Sequence, residues 1–211
     1  MSDHLEQRSA EWHAARLAKV TASRVADVIA RTKSGWGASR ANYMAELIAE
    51  RLTGEPSEKF TSAAMAWGTE KEPEARAAYA WHADEDVQEV GFVVHNRIRD
   101  AGASPDGLVG TNGLVEIKCP GTATHIDTLL SGSIADKYIV QMQFQMACTG
   151  RMWCDFVSYD PRLPEAMRLF VRRIERDHER IAQLETAVIA FLDEMNTKVA
   201  QLAAIIERKA A

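Results

Sequence analysis

The sequence predicts an α+β protein, in which a central mixed β-sheet is flanked by helices and followed by a long C-terminal helix. Three observations carry this. Apolar residues recur at helical spacing in the first part of the chain, whereas the middle holds short β-branched runs punctuated by Gly102, Gly107, Gly110 and Gly113. The order of segments, helices then strands then a mixture, favours a segregated α+β layout. From Ile181 to Ile206 apolar residues return close to every seventh position, the pattern of a long amphipathic helix.

Residues 9–54 read as helical. Ser9 can cap a turn into Trp12, and Tyr43, Met44, Leu47, Ile48 and Leu52 share a helical stripe that Thr53-Gly54 ends, with 32–37 as a loop between. Thr61-Ser62 opens a second helix through Met65, Trp67, Ala75, Tyr79 and Trp81, which Pro73 should kink. Residues 87–95, 106–109 and 114–118 are expected as three strands of one sheet. Helices over 122–130 and 136–148 follow, the second stopped by Gly150, then strands over 152–159 and 167–174. The helix from Asp177 onward docks on the body or on a neighbour.

At 211 residues, 46% hydrophobic and 26% charged, the chain has the size and composition of one globular domain. Its 25 Lys+Arg against 30 Asp+Glu give a net charge of -5, so any nucleic-acid site must be a local basic patch. Arg16, Lys19, Arg24, Arg31, Lys33, Arg40 and Arg51 supply one in the N-terminal region, and binding there should weaken steeply with salt. The arginines from Arg151 to Arg180 alternate with acids and read as a solvated or inter-subunit surface. No apolar run is long enough to span a bilayer. The first residues carry no signal-peptide pattern. The three cysteines, Cys119, Cys148 and Cys154, match no zinc spacing. A cytoplasmic location with reduced thiols is therefore expected.

The chemistry concentrates in Ser104-Pro105-Asp106-Gly107 and Leu114-Val115-Glu116-Ile117-Lys118. Side chains alternate along a strand, so Glu116 and Lys118 share a face and Val115 and Ile117 take the other. The Asn112-Gly113 turn folds this strand back beside Asp106, placing two carboxylates within reach of one cation, for which Mg²⁺ or Mn²⁺ is the natural choice. The bland alternative is an exposed hairpin whose Glu/Lys pair is worth under ~1 kcal/mol.

The pattern Pro-Asp followed by Glu-x-Lys resembles the PD-(D/E)xK nuclease superfamily, whose core is restriction-endonuclease-like. Further motifs narrow the resemblance. Trp12-His13-Ala14-Ala15-Arg16-Leu17, Val20-Thr21-Ala22-Ser23, Ala66-Trp67-Gly68 with Glu72, Ser104-Pro105-Asp106-Gly107-Leu108, Glu116-Ile117-Lys118-Cys119-Pro120, Tyr138 with Gln141 and Gln143, and Ser158-Tyr159-Asp160-Pro161-Arg162 stand in the order found in the lambda-exonuclease and YqaJ-like alkaline exonuclease family. The resemblance covers about residues 9–175. It implies a single nuclease domain over 1–211, with a helical DNA-binding part at 9–82, a catalytic core at 86–175 and the C-terminal helix at 176–211. It also implies a Mg²⁺-dependent enzyme, with Mn²⁺ as substitute, that digests one strand of duplex DNA from its 5′ end and leaves a 3′ overhang for recombination. Double-stranded DNA ends, a homotrimeric ring and a single-strand annealing protein are the implied partners, with no membrane.

By position, the resemblance makes Asp106, Glu116 and the Ile117 carbonyl metal ligands, with Glu72 supporting a second metal. Lys118 orients or helps deprotonate the attacking water, and Gln141 reaches into the site. Arg16, Ser23 and Ser104 grip the 5′-phosphate, which suits a guanidinium flanked by hydroxyls. Met65 stands at an apolar wedge and Lys33 at a basic loop position. The residues alone leave alternatives open. Glu72 and Arg16 fit a solvated surface, Ser23 a helix cap, Met65 the core, and Gln141, Gln143 and Gln145 a polar helix stripe. Lambda exonuclease has an acidic residue ten positions before its Pro-Asp aspartate, where this chain has Asn96, a poorer ligand for a hard cation. A restriction-like endonuclease, an inactive DNA-end-binding scaffold and a structural assembly protein are the competing functions.

Overall fold

A computed structural model of the protein describes residues 6–57 and 62–210, without the side chains of 206, 207, 209 and 210. In chain order the elements are α1 (Ala10–Arg16), β1 (Val20–Thr21), α2 (Val25–Val28), β2 (Arg31–Thr32), β3 (Gly35–Trp36), α3 (Ala38–Thr53), α4 (Ala63–Ala83), β4 (Val87–Gln88), β5 (Val93–Val94), β6 (Ala101–Ala103), β7 (Gly107–Val109), β8 (Gly113–Lys118), α5 (Thr122–Ser131), α6 (Asp136–Thr149), β9 (Trp153–Tyr159), β10 (Leu169–Glu175) and α7 (His178–Ala210).

The α+β expectation stands. The main sheet is mixed, in the order β10-β9-β8-β7-β4, with β8 and β9 parallel and the other neighbours antiparallel. α4 covers one face, packing Ala75 and Tyr79 against Val115, Ile117 and Val157. α6 covers the other, packing Met142 and Met146 against Leu114, Cys154 and Phe156. Its opposite side sends Val140, Phe144 and Cys148 into a second core shared with α2, α3 and α7. Every residue of α6 from Val140 to Cys148 is therefore buried, glutamines included.

Ser9 Oγ accepts the Trp12 N–H and caps α1 as expected. Ser62 caps α4 through the Met65 N–H, while Thr61 lies outside the described residues. Pro73 removes one backbone donor without interrupting α4, because Ala75 and Tyr79 hold the helix on the sheet. Asp177 Oδ1 accepts the Arg180 N–H and starts α7.

Three expectations need correction. The segment 87–95 is not one strand: it splits into β4, on the edge of the main sheet, and β5, in a separate three-stranded sheet ordered β1-β6-β5. Val20-Thr21 is not helical but pairs in parallel with Ala101-Gly102. The loop at 32–37 contains a hairpin, β2 against β3. Gly113 lies against the Trp153 ring where β7 turns into β8: a Cβ there would come within 2.1 Å of the ring, so a larger residue requires Trp153 to move.

Candidate active site

The β7–β8 hairpin places the carboxylates as the strand alternation requires. β7 begins at Gly107, opposite Val115, so Ile117 extends past the end of its neighbour. Asp106 fills the gap, its Oδ2 accepting the Ile117 N–H at 2.6 Å. In an extended strand a residue's N–H and C=O point the same way, so the Ile117 carbonyl faces the edge that Asp106 occupies. Glu116, only 1% exposed, turns to the α6 face together with Lys118. There its Oε1 accepts from Lys118 Nζ and from Gln141 Nε2, and its Oε2 from Gln145 Nε2.

The electrostatics follow from two carboxylates sharing one partly buried edge. Burial, and then the Glu116 charge, pushes the Asp106 carboxyl well above the usual carboxylate range. Burial would lower the Lys118 ammonium, but Glu116 and Asp106 outweigh it and raise the group above its ordinary value. Among the described residues no three His, Cys, Asp or Glu side chains converge as a metal-binding group. Two carboxylates and a backbone carbonyl at one edge nonetheless fit a hard divalent cation, which would relieve the negative charge that Lys118 only partly offsets.

Glu72 is part of the same neighbourhood, since its charge also acts on Asp106. Its carboxylate is engaged by two arginines, Arg8 at 2.5 Å and Arg76 at 2.7 Å. Arg76 in turn donates to the Asp106 carbonyl. Arg8 adopts a left-handed backbone, φ 74°, and Gln7 beside it donates to the Val90 and Pro105 carbonyls. Asn96 is exposed in the turn between β5 and β6, in the smaller sheet.

Trp12, Arg16 and Ser104 form a hydrogen-bonded arm beside this edge. Ser104 Oγ accepts from Trp12 Nε1 at 2.9 Å and from Arg16 Nη1 at 3.0 Å. The Arg16 guanidinium lies 4.0 Å from the Trp12 ring centre, and burial lowers its pKa to about 10. Arg16, Lys19, Ser23, Arg24 and Met65 line a common pocket of about 350 Å³. Met65 is 55% exposed, so it is not a core residue. Lys33 is exposed at the tip of the β2–β3 hairpin, where Trp36 lies between the guanidinia of Arg31 and Arg40.

The remaining basic residues are spent differently from the sequence reading. Arg24 pairs with Asp27 and Glu46, Arg40 with Glu194 and Arg51 with Asp100. Downstream, Arg151 binds the carbonyls of Val109, Gly110 and Gly113, and Arg173 clasps Asp155, so these arginines brace the fold and are not a free surface. Arg162 pairs with fully buried Asp160, reaches the Pro120 carbonyl and stacks on Trp67, steadying the chain just beyond Lys118.

Asp106, Ile117, Glu116, Lys118 and Gln141 thus meet at one edge, and Arg16, Ser23 and Met65 line the neighbouring pocket, to which Ser104 is joined through Trp12 and Arg16. Lys33 stands apart on its hairpin. Sequence reasoning missed Trp12 as a donor to Ser104, Arg8 and Arg76 as partners of Glu72, and Gln145 as a second amide on Glu116. For Gln145 the signal was present, since it follows Gln141 by four residues on one helix.

The profile of the YqaJ-like viral recombinase domain matches residues 11–152. The alkaline exonuclease LHK-Exo from Laribacter hongkongensis shares 56% identity over 95% of this chain and 99% of its own, with a TM-score of 0.89. The same figures hold for LHK-Exo in complex with dAMP. A phage-related exonuclease from Haemophilus somnus, 16% identical over 87% of this chain and 96% of its own, shares the fold at a TM-score of 0.72. None of the curated proteins matches. With the profile spanning most of the sequence and the identity to LHK-Exo running nearly end to end, the chain belongs to the YqaJ-like viral recombinase family.

Proposed function

We propose that the protein is a Mg²⁺-dependent exonuclease that digests one strand of duplex DNA from its 5′ end and leaves a 3′ overhang for single-strand annealing. The observation that carries this reading is the convergence of Asp106, Glu116 and Lys118 at one sheet edge, two residues along the chain from the Ser104 hydroxyl that Arg16 engages. Two residues span at most ~7 Å. A terminal phosphate held by Arg16, Ser104 and Ser23 would then lie roughly one nucleotide from the carboxylates, the spacing for releasing mononucleotides. The dAMP bound to the related LHK-Exo is such a mononucleotide.

Each residue has a defined task. Asp106, Glu116 and the Ile117 carbonyl would hold the cation, with Glu72 supporting a second. A bound divalent cation neutralises charge on the phosphate and lowers the pKa of water. Lys118, held as an ammonium by its two carboxylate neighbours, orients the water and offsets phosphate charge. Gln141 fixes the Glu116 carboxylate. Arg16, a desolvated cation, gains by taking a phosphate dianion through charge-assisted bonds. Met65 presses on the terminal base pair, and Lys33 follows the duplex. The chain acts as one nuclease domain, with 9–82 meeting DNA and 86–175 cutting it. A ring of three copies around the duplex and a single-strand annealing partner complete the proposal.

The test is digestion of 5′-end-labelled linear duplex beside a nick-free circle, with Mg²⁺ or with chelator. Mg²⁺ should release label from linear DNA as mononucleotide and leave the circle whole. Cutting of the circle would turn the reading toward an endonuclease, and digestion in chelator would remove the cation from it.

A further inference from the structure

Gln145 stands one helical turn beyond Gln141, so the two carboxamides leave α6 on the same side. Each donates to a different oxygen of Glu116, Gln141 to Oε1 and Gln145 to Oε2, both at 2.6 Å. Lys118 takes a further position on Oε1. A carboxylate offers about four lone-pair directions, two per oxygen. Oε1 is therefore filled, and Oε2 retains a single direction. We infer that Gln145 is a positioning residue that fixes the Glu116 carboxylate and leaves it one free lone pair, on Oε2, for a cation. The inference rests on the reading of Glu116 as a cation ligand.

A second observation points the same way. Gln145 is fully buried, and its Oε1 has no hydrogen-bond partner among the described residues. Burying an amide oxygen without a donor is unfavourable. A methionine would fill the same space beside Met142 and Met146 without that cost. What methionine lacks is the N–H given to Glu116. The amide cannot be reversed, because its oxygen would then face the Glu116 carboxylate. Gln143 shows the contrast: it is buried too, but its nitrogen donates to the Glu175 carbonyl and its oxygen accepts the Asp177 N–H. Gln143 joins α6 to the start of α7, with both ends satisfied, whereas Gln145 has one satisfied end, and that end holds Glu116.

The test compares the parent chain with Gln145→Met and Gln145→Leu, using Glu116→Gln as control. Mn²⁺ binding is titrated without DNA by electron paramagnetic resonance, kcat and KM are measured on linear duplex, and thermal melting reports the fold. Partners that orient a metal ligand are worth about 10–100-fold in affinity or activity. Gln145→Met should bind Mn²⁺ at least about tenfold more weakly and lose a similar factor in kcat, with KM for DNA within about twofold and a cooperative melt retained. Unchanged Mn²⁺ affinity and kcat, or a loss confined to KM, would overturn the role. So would unfolding of both variants, since Gln145 would then be holding the fold. If the parent shows no Mn²⁺ binding that Glu116→Gln removes, the cation reading itself fails and this inference with it. Parent binding through Glu116 with unaltered binding in Gln145→Met overturns the inference alone.

Discussion

Asp106 and Glu116 set two carboxylates side by side, at a cost to the fold that the proposed cation would remove. Burial and the Glu116 charge raise the Asp106 carboxyl, so the cation-free site is less stable than one with a single carboxylate. Asp106→Asn keeps an acceptor for the Ile117 N–H and removes the repulsion. Melting in chelator should rise by about 2–4 °C for each kcal/mol relieved, while turnover on linear duplex falls by on the order of 10³. A lower melting temperature in chelator would show that the two carboxylates are not in conflict. Arg16 poses the reverse case, a cation short of counter-charge. Hydrogen bonds to a charged group are worth about 1.5–3 kcal/mol, or roughly 10–150-fold. Arg16→Ala should lose that much in kcat/KM on 5′-phosphorylated ends and little on 5′-hydroxyl ends; equal losses on the two would move Arg16 out of the phosphate grip.

At the scale of elements, β8 and α6 were legible because their patterns are strict. β8 alternates Val115 and Ile117 against Glu116 and Lys118, and each set meets a different helix. β1 and β6 were not, because Val20-Thr21 and Ala101-Gly102-Ala103 are too short to show a period, and small residues pack as strands only once α6 and the 22–24 turn cover them. Glu72 was legible as an acidic residue on a helix, but its arginine partners lie in the N-terminal segment and one turn on, and only the fold joins them. The smaller sheet is fastened to α7 through His95, whose Nδ1 accepts the N–H groups of Arg97 and Ile98 and whose Nε2 therefore carries the proton donated to Glu185 at 3.0 Å. Burial lowers the pKa of this ring, with Arg97 and Arg176 adding to the effect and Glu185 opposing it. The unfolded chain then binds a proton below pH ~6.5 that the folded ring refuses, so stability declines as pH falls through that value, by at most ~1.4 kcal/mol per unit. Denaturant unfolding at pH 7.5 and 5.5 should show His95→Gln narrowing the difference, by no more than that limit. An unchanged difference would place the acid sensitivity elsewhere.

For the whole molecule, a net charge of -5 must be reconciled with a polyanionic substrate. The N-terminal basic residues are fewer as DNA ligands than as letters, since Arg24, Arg40 and Arg51 are committed to carboxylates. Arg16, Lys19, Arg31 and Lys33 remain, without an ion pair among the described residues, spread from the pocket that Arg16 and Lys19 line to the β2–β3 hairpin. Each phosphate neutralised contributes about -0.9 to the slope of log K against log salt. One chain on duplex DNA in chelator should therefore give a slope of about -3 to -4, measured by fluorescence anisotropy between roughly 50 and 200 mM salt, the range over which such losses develop. The steep dependence expected from the raw charge count would need more than these contacts. A slope well beyond -4 at protein excess, with light scattering reporting three copies, would mean that neighbouring chains lend their patches to one duplex, as a ring requires. The shallow slope together with a monomer would leave the acidic remainder of the chain repelling the DNA behind the cut, and digestion should then stop after few nucleotides.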